Sequence, residues 1–369
     1  MGIGVFNIEK FYEATTALAD VSMNIEDGAF VTLLGATGAG KTTLLRIMAG
    51  IDRPDKGRVY YDDKDVTDIP VQKRNVAMVY QEFVNYPSMT IYENLASPLR
   101  VSKTRYSKKE IDEKVRYHAE LIGLSGILDH YPEEVSGGQK QRTAIARALI
   151  KDTRFIFLDE PLANLDYKLR EELRGELKTL LTHKGGAVVY ATPEPVDALS
   201  MSTHVAYFQE GRLLQYGGLE EVYRNPEFVD VGAYFSYPTM NIMEAQTVRG
   251  STGTRLKISE EINIDVTEFA DRLGAEKYLV GIRAYNLYTR QTGQNLIPFK
   301  ATVELAEELG SDTELHVRHG DYLFVVLMQE VTRFPAGEQI TVYLDPSRLF
   351  IFDRQSRRLV LKTFSDRHG

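Results

Sequence analysis

The residues with the clearest chemical potential form one short segment, Gly35-Ala36-Thr37-Gly38-Ala39-Gly40-Lys41-Thr42. It follows an apolar run and opens a helical pattern, the context in which G-x-x-x-x-G-K-[ST] forms a phosphate-binding loop. Its glycines let backbone N–H groups point inward, and the start of the helix adds positive potential. The pattern predicts that Lys41 reaches the β and γ phosphates and that Thr42 ligates Mg²⁺. The flanking strand and helix disfavour the alternative, a chance glycine-rich turn. The predicted residues for binding a nucleotide are Gly35, Thr37, Gly38, Gly40, Lys41, Thr42 and Thr43.

A second cluster is a buried apolar run that ends in two acids, Asp159 and Glu160. Asp159 is predicted to hold Mg²⁺ through water. Glu160 is predicted to polarise the attacking water, a general-base role worth roughly 10²- to 10⁴-fold in rate. Alone, a strand ending in Asp-Glu is explained equally well by an edge-strand turn. Combined with the phosphate-binding loop, it predicts hydrolysis of a nucleotide, with Lys41 and Glu160 as catalytic residues.

A third cluster, Ser136-Gly137-Gly138-Gln139, opens another helical pattern shortly before the two acids. A serine hydroxyl and two glycine N–H groups at a helix N-terminus form a second phosphate cradle. A helix N-cap alone would explain Ser136 but not the three residues after it. Here the chain resembles the ABC ATPase family, whose signature this is. The resemblance implies a head-to-tail pair, in which the signature of one chain faces the phosphate-binding loop of the other.

Further positions match this family. Gln81 resembles the lid glutamine that contacts Mg²⁺ and senses the membrane partner, so the resemblance assigns it a catalytic and a metal-binding role beside Thr42 and Asp159. Asp166 ends a segment, Ala163-Asn164-Leu165-Asp166, that resembles the loop crossing to the other subunit. Tyr12 stands where the family places a ring against adenine, although a lone tyrosine is more often core or rim.

The pattern breaks at one position. The family has Thr-His-Asp or Thr-His-Glu after a later strand, and its histidine contacts the γ-phosphate, whereas this chain reads Thr192-Pro193-Glu194. Proline has neither a side-chain donor nor a backbone N–H. In sequence His183 and His204 are nearest, and neither is a plausible substitute. Loss of one preorganised donor costs roughly 10²- to 10³-fold in rate, so we expect a site that binds ATP well and hydrolyses it poorly.

The elements that must position these residues divide into two domains. Residues 1–235 alternate β-branched runs with helical patterns, which predicts an α/β domain with a mostly parallel sheet and a helical insertion at about 90–137. Residues 236–369 change to period-two strands separated by turns, such as 322–328 and 339–344, which predicts an all-β barrel. With the resemblance, the fold class is a P-loop ABC ATPase domain with a helical subdomain, followed by an OB-like, TOBE-type domain.

Composition limits the classes of function. The 369 residues suit two domains, and 43 % hydrophobic with 26 % charged residues argues against disorder. A formal net charge of -8 gives no general attraction to nucleic acid, so phosphate binding must be local. The absence of cysteine excludes disulfide and thiolate chemistry. We expect no export signal, lipid anchor or membrane helix.

With the β domain included, the chain resembles the ATPases of sugar and polyol importers. The stretches 71–81 and 163–173 are similar to the bacterial glycerol importer, which uses two different ATPase subunits, one of them also lacking the histidine. The resemblance implies ATP and Mg²⁺ as ligands. It also implies a second, different ATPase subunit, two membrane permeases and indirectly a substrate-binding protein, with no nucleic acid. The expected location is peripheral, on the cytoplasmic side of the plasma membrane. A docking groove for permease helices is expected at Phe83, Val84 and Tyr86, although ordinary core explains these residues equally well. Alternatives are a homodimeric sugar importer ATPase and a soluble ABC ATPase without a transport role.

Overall fold

A computed structural model describes residues 2–82, 84–102, 104–163, 165, 167–182 and 186–364. The chain folds into two compact units that divide between Leu219 and Glu220. The first is α/β and the second is all-β, which confirms the predicted fold class. No helix of the described residues is long and apolar enough to cross a membrane.

The strands of the first unit form two sheets. In chain order they are β1 (Gly2–Tyr12), β2 (Thr15–Glu26), β3 (Phe30–Leu34), β4 (Lys56–Tyr61), β5 (Lys64–Asp65), β6 (Val76–Val79), β7 (Phe155–Asp159), β8 (Val188–Thr192), β9 (His204–Gln209) and β10 (Arg212–Gly218). A small antiparallel sheet has the order β2-β1-β4-β5, and the central sheet has the order β10-β9-β3-β8-β7-β6.

The central sheet is parallel except where β10 pairs with β9. Every residue of β3, β7 and β8 is buried, as expected for parallel strands covered on both faces. The carboxyl ends of these three strands therefore lie at one edge of the sheet, and the loops that follow them come together there.

Helices surround this sheet and form the insertion. In chain order the helices among the described residues of both units are α1 (Lys41–Ala49), α2 (Ile91–Arg100), α3 (Lys108–Leu121), α4 (Gly137–Ile150), α5 (Tyr167–Thr182), α6 (Pro195–Met201), α7 (Leu219–Arg224) and α8 (Val229–Tyr234). Capping boxes begin α2 at Thr90, α3 at Ser107 and α4 at Ser136, which satisfies orphan N–H groups in each first turn. The three helices share an apolar core separate from that of the sheet.

The second unit packs two antiparallel sheets around one apolar core. Its strands are β11 (Asn241–Gly250), β12 (Gly253–Lys257), β13 (Asn263–Asp265), β14 (Lys277–Ile282), β15 (Leu287–Tyr288), β16 (Ile297–Glu308), β17 (Thr313–His319), β18 (Tyr322–Met328), β19 (Gln339–Leu344), β20 (Leu349–Asp353) and β21 (Leu359–Lys362). The sheet orders are β13-β12-β11-β14-β20-β21 and β15-β19-β16-β17-β18. The two strands read from alternation alone, 322–328 and 339–344, coincide with β18 and β19.

The division between the units lies before the predicted boundary at residue 235. The reason is packing: Val229 and Ala233 of α8 join an apolar cluster with Phe350 and Phe352 of β20. Burial against the β unit thus assigns this helix to the second unit, although its local sequence continues the helical character of the first.

Candidate nucleotide site

The phosphate-binding loop connects β3 to α1, as the motif requires. Gly40 is the N-cap of α1 and has φ 99°, a left-handed conformation that favours glycine. A Cβ atom at Gly35 would lie 2.2 Å from the carbonyl oxygen of Phe208. The close backbone contact therefore requires glycine at position 35, and the left-handed conformation favours glycine at position 40.

Lys41 is the first residue of α1, and its side chain, which is only 3 % exposed, turns back to the loop. Its Nζ donates hydrogen bonds to the carbonyl oxygens of Gly35 at 2.7 Å and Ala36 at 2.9 Å. Burial lowers the pKa of Lys41, and the nearby carboxylates of Glu160 and Asp159 oppose that shift. The ammonium group therefore lies where the phosphate oxygens of a bound nucleotide would replace the loop carbonyls as its hydrogen-bond acceptors.

The two acids at the end of β7 meet this loop. Thr42 Oγ1 donates to Asp159 Oδ1 at 2.8 Å, and Lys41 Nζ lies 3.9 Å from Glu160 Oε1. Glu160 adopts φ 44°, which is unusual for a residue with a side chain and costs roughly 1–3 kcal/mol. Its backbone N–H donates to Ala191 O of β8 at 2.9 Å, and that bond helps to hold the strained turn.

Burial is the largest influence on the pKa of both acids, Asp159 and Glu160. It raises the pKa of Asp159, against a hydrogen bond from Thr42 and the charge of Lys41. It raises the pKa of Glu160, where Lys41 opposes the shift and the carboxylates of Asp159 and Glu194 add to it. A carboxyl group whose pKa is raised toward neutral is a stronger proton acceptor when ionised, which suits a general base.

Gln81 follows β6, the edge strand beside β7. Its Nε2 donates to Glu160 Oε2 at 3.2 Å. The structure therefore brings together Gln81, Glu160, Lys41, Thr42 and Asp159, from three separate parts of the sequence.

The residues after β8 lie at the same edge. Ala191 pairs with Asp159 in the parallel register and accepts the Glu160 N–H, so Pro193 lies two residues after the hydrogen-bond partner of Glu160. The turn at 192–194 is fixed internally, since Thr192 Oγ1 accepts from the Glu194 N–H at 3.1 Å. The position that the family resemblance assigns to a histidine thus lies at the same sheet edge as Glu160 and carries proline.

Beneath this turn lies a buried polar cluster that sequence reasoning missed. Asp197 of α6 is 2 % exposed and accepts hydrogen bonds from Arg174 Nε at 2.8 Å, Tyr190 Oη at 3.0 Å and Thr192 Oγ1 at 2.9 Å. It therefore joins α5, α6 and the end of β8. No motif marks these residues, because their partners lie on separate elements.

The signature loop forms the start of α4. Ser136 Oγ accepts from the Gln139 N–H at 3.3 Å, and Gln139 Oε1 accepts from the Ser136 N–H at 2.9 Å. Ser136 and Gly137 are exposed, and the serine hydroxyl retains its proton for another acceptor. Among the described residues, no hydrogen bond or ion pair links this loop to the phosphate-binding loop. The structure therefore shows the N-cap role of Ser136, and the second phosphate cradle at this loop stays a prediction.

Tyr12 ends β1 beside α1. Its ring is 45 % exposed, and its hydroxyl donates to Asp52 Oδ2 at 3.2 Å. Asp52 also accepts from Arg46 Nε at 2.7 Å. Burial, followed by the charge of Asp52, raises the pKa of Tyr12. The exposed ring face stays a predicted support for adenine.

Several predicted residues have other outcomes. Phe83, Asn164, Asp166 and His183 lie outside the residues that the structure describes. His204 opens β9 and pairs with Val31 near the start of β3, so it lies at the opposite edge of the sheet from Lys41. Val84 and Tyr86, predicted as docking residues, are both exposed.

The fold and the loops around Lys41 define a P-loop nucleotide-binding protein. Residues 18–163 match the ABC transporter family model, and residues 280–352 match the TOBE domain. The chain belongs to the ABC transporter family, as an ATP-binding protein of the sugar and polyol importer subfamily. Membership implies nucleotide binding and ATP hydrolysis coupled to transport.

Three relatives span nearly the whole chain. The trehalose/maltose import ATP-binding protein MalK of Thermococcus litoralis is 35 % identical, covering 97 % of this chain and 99 % of the relative. The oligosaccharides import ATP-binding protein MsmX of Bacillus subtilis is 32 % identical, over 95 % and 97 %. The sulfoquinovosyl glycerol transport ATP-binding protein SmoE of Agrobacterium fabrum is 31 % identical, over 97 % and 99 %.

A solved structure supports the fold of the first unit. The dimeric ATP-binding cassette MJ0796, in a post-hydrolysis state bound to ADP and Pi, is 30 % identical with a TM-score of 0.54. The match covers 59 % of this chain and 98 % of that cassette, which is the share expected if the β unit lies outside it.

Proposed function

We propose that this chain is the ATP-binding subunit of an importer for a sugar or polyol, and that its cargo is glycerol. The observation that carries the importer assignment is the convergence of Lys41, Thr42, Asp159 and Glu160 at one sheet edge, in a chain that aligns end to end with sugar import subunits. The glycerol assignment is supported by the sequence resemblance of 71–81 and 163–173. A relative named for transport of a glycerol derivative is compatible with it.

The nucleotide site assigns a role to each residue. Backbone N–H groups of residues 35–43 and the Lys41 ammonium bind the phosphates, and Tyr12 supports adenine. The pairing of Thr42 Oγ1 with Asp159 Oδ1 fits an oxygen-lined Mg²⁺ site, with Gln81 as a further ligand. Bound Mg²⁺ would supply charge neutralisation at the phosphates. Glu160 orients water and takes its proton.

The site built on this phosphate-binding loop is proposed to be slow. Pro193 stands two residues after Ala191, which is hydrogen-bonded to Glu160, and it offers no donor toward a γ-phosphate. The missing interaction is worth roughly 3 kcal/mol at the transition state. Binding of ATP, which uses other residues, is retained.

The combination of a slow nucleotide site with an intact signature loop favours an asymmetric pair of ATPase subunits. The signature loop, Ser136 to Gln139, keeps its open geometry and completes the site of a companion ATPase that has its own histidine. Two membrane permeases dock near Val84 and Tyr86, and a binding protein delivers the cargo. The subunit lies on the cytoplasmic face of the plasma membrane.

The test is ATP turnover by the purified chain alone, by its pair with a companion ATPase, and by the complex with permeases. The chain alone should bind Mg-ATP and turn it over slowly, and the pair should be fast. Brisk turnover by the chain alone, abolished by Glu160→Gln, would contradict the slow site and support a homodimer. Failure to copurify with permeases would support a factor without a transport role.

Whether glycerol is the cargo needs its own measurement. Vesicles containing the complex should accumulate labelled glycerol in the presence of ATP and the binding protein, and labelled maltose is the comparison. Uptake of maltose alone would reassign the cargo while leaving the ATPase roles intact.

A further inference from the structure

The short segment 84–86, which carries the exposed Val84 and Tyr86, is attached directly to the signature helix α4. Arg147 of α4 donates from Nη2 to the Val84 carbonyl, and its guanidinium lies 4.7 Å from the centre of the Tyr86 ring. Asn85 Nδ2 donates to the Lys140 carbonyl of the same helix at 2.8 Å. Each residue of the segment thus has a contact with α4.

A second anchor comes from α2. Asn94 is fully buried, accepts from the Tyr86 N–H at 2.8 Å, and donates to the carbonyls of Tyr86, Met89 and Thr90 at 3.0–3.1 Å. Arg147 Nη1 also reaches Asn94 Oδ1 at 3.5 Å. These bonds fix the turn that presents Val84 and Tyr86, so the exposed side chains stand on a rigid support.

Helices α2 and α4 in turn form one packed body. Leu95 and Leu99 of α2 share a buried cluster with Ala146 and Ile150 of α4, and closely packed side chains transmit displacement rather than absorb it. Eleven residues separate Ser136 from Arg147 along α4, a rise of about 16 Å at 1.5 Å per residue. A displacement at the segment therefore arrives at the signature loop through a continuous helix.

We propose that Arg147 and Asn85 are positioning residues that make segment 84–86 and α4 move as one body, so that a permease docked on Val84 and Tyr86 sets the position of Ser136. This rests on the proposed function, because it concerns the same permease contact. In the asymmetric pair, the nucleotide affected is that of the companion subunit, which Ser136 completes. Neither residue takes part in binding ATP to this chain.

The experiment compares ATP turnover by the soluble ATPase pair with turnover by the full complex in vesicles. The variants are Arg147→Met, Arg147→Lys and Asn85→Ala, with Arg116→Met as a matched control on the exposed face of α3. We expect the stimulation by permeases to fall roughly two- to thirty-fold in Arg147→Met, the range typical of coupling through packed contacts. Arg147→Lys keeps the positive charge but loses the planar guanidinium, which donates two hydrogen bonds and stacks on Tyr86. The stimulation of Arg147→Lys should therefore lie between that of wild type and that of Arg147→Met.

Soluble turnover and Mg-ATP binding should be unchanged in these variants, as should everything in Arg116→Met. Stimulation equal to wild type in both Arg147→Met and Asn85→Ala would overturn the proposal. A proportional fall of soluble and stimulated turnover would also overturn it, since that is the mark of a merely structural role. If Arg147→Met does not fold, Asn85→Ala and Arg147→Lys decide the question alone. A wild-type complex without stimulation refutes the proposed function itself, which separates the two failures.

Discussion

Replacing Pro193 by histidine should restore the missing interaction at this chain's own site. The turn is already built: Thr192 Oγ1 is held by Asp197 and by the Glu194 N–H, and Ala191 is bonded to Glu160. Position 193 directly follows β8, whose Ala191 carbonyl accepts the Glu160 N–H. We therefore expect a histidine side chain there to reach a phosphate bound beside Glu160.

The expected magnitude follows from one preorganised donor. Turnover should rise roughly 10²-fold, and up to 10³-fold if the imidazole is well aligned, equivalent to ~3–4 kcal/mol. The carboxylates of Glu160 and Glu194 favour the protonated imidazole, which adds to its strength as a donor. Loss of proline should destabilise folding by only about 0.4–1 kcal/mol, so the protein remains folded.

The assay measures phosphate release by this chain paired with a companion whose own catalytic glutamate is inactivated, so that only one site turns over. Pro193→Ala is the matched control, because it restores the backbone N–H without an imidazole. Turnover of Pro193→His should exceed that of Pro193→Ala, and a further Glu160→Gln should abolish it. Equal rates for the two Pro193 variants, at equal Mg-ATP affinity, would refute the assignment of the slow site to this position.

Three further outcomes are expected. Tyr12→Ala should weaken Mg-ATP binding by tenfold or more, since base–aromatic stacking contributes roughly 1–3 kcal/mol; Tyr12→Phe, which loses only the bond to Asp52, should bind like wild type in a fluorescent-nucleotide titration. The rate of the Pro193→His site should fall with acid at a higher pH than for an ordinary glutamate, because burial raises the pKa of Glu160. Glu194→Gln removes a neighbouring carboxylate, so it should lower the pKa of Glu160 and move the acid limb of the pH–rate profile to lower pH. If the limb does not move, the charge of Glu194 does not influence the pKa of Glu160. Asp197→Asn should lower the free energy of unfolding by about 1–3 kcal/mol in urea denaturation, since it removes the buried carboxylate from Arg174 and leaves only the more exposed Glu171 to pair with it. Glu171 is the more exposed partner of Arg174, so Glu171→Gln should change the free energy of unfolding by less than ~1 kcal/mol.

The predicted chemistry of the site rests on signals that are local in the sequence. The glycines of 35–40, the lysine at a helix start and the acids ending a buried strand each express a backbone or burial requirement within a few residues. The same holds for Ser136, whose N-cap bond with Gln139 spans one helical turn. The strand at 322–328 is predicted from period-two alternation, but Phe324, Val325 and Val326 are all buried in β18, so its continuous apolar run marks it as a strand rather than strict alternation.

Contacts between residues that are distant in sequence depend on the tertiary structure. Gln81 reaches Glu160, and Asp197 joins Arg174 to the turn before Pro193, because strand order places β6, β7 and β8 side by side. Arg147 contacts Tyr86 because α4 packs beside α2, and no spacing in the sequence encodes that pairing.

Local sequence therefore indicates which groups are available and predicts a role for each: the phosphate-binding loop, the acid pair, the signature loop and the proline at position 193. Their contacts, and the assignment of α8 to the β unit, depend on long-range packing. Propensity, capping and alternation act over only a few residues. Strand order and helix contacts instead result from burying apolar surface over a whole domain.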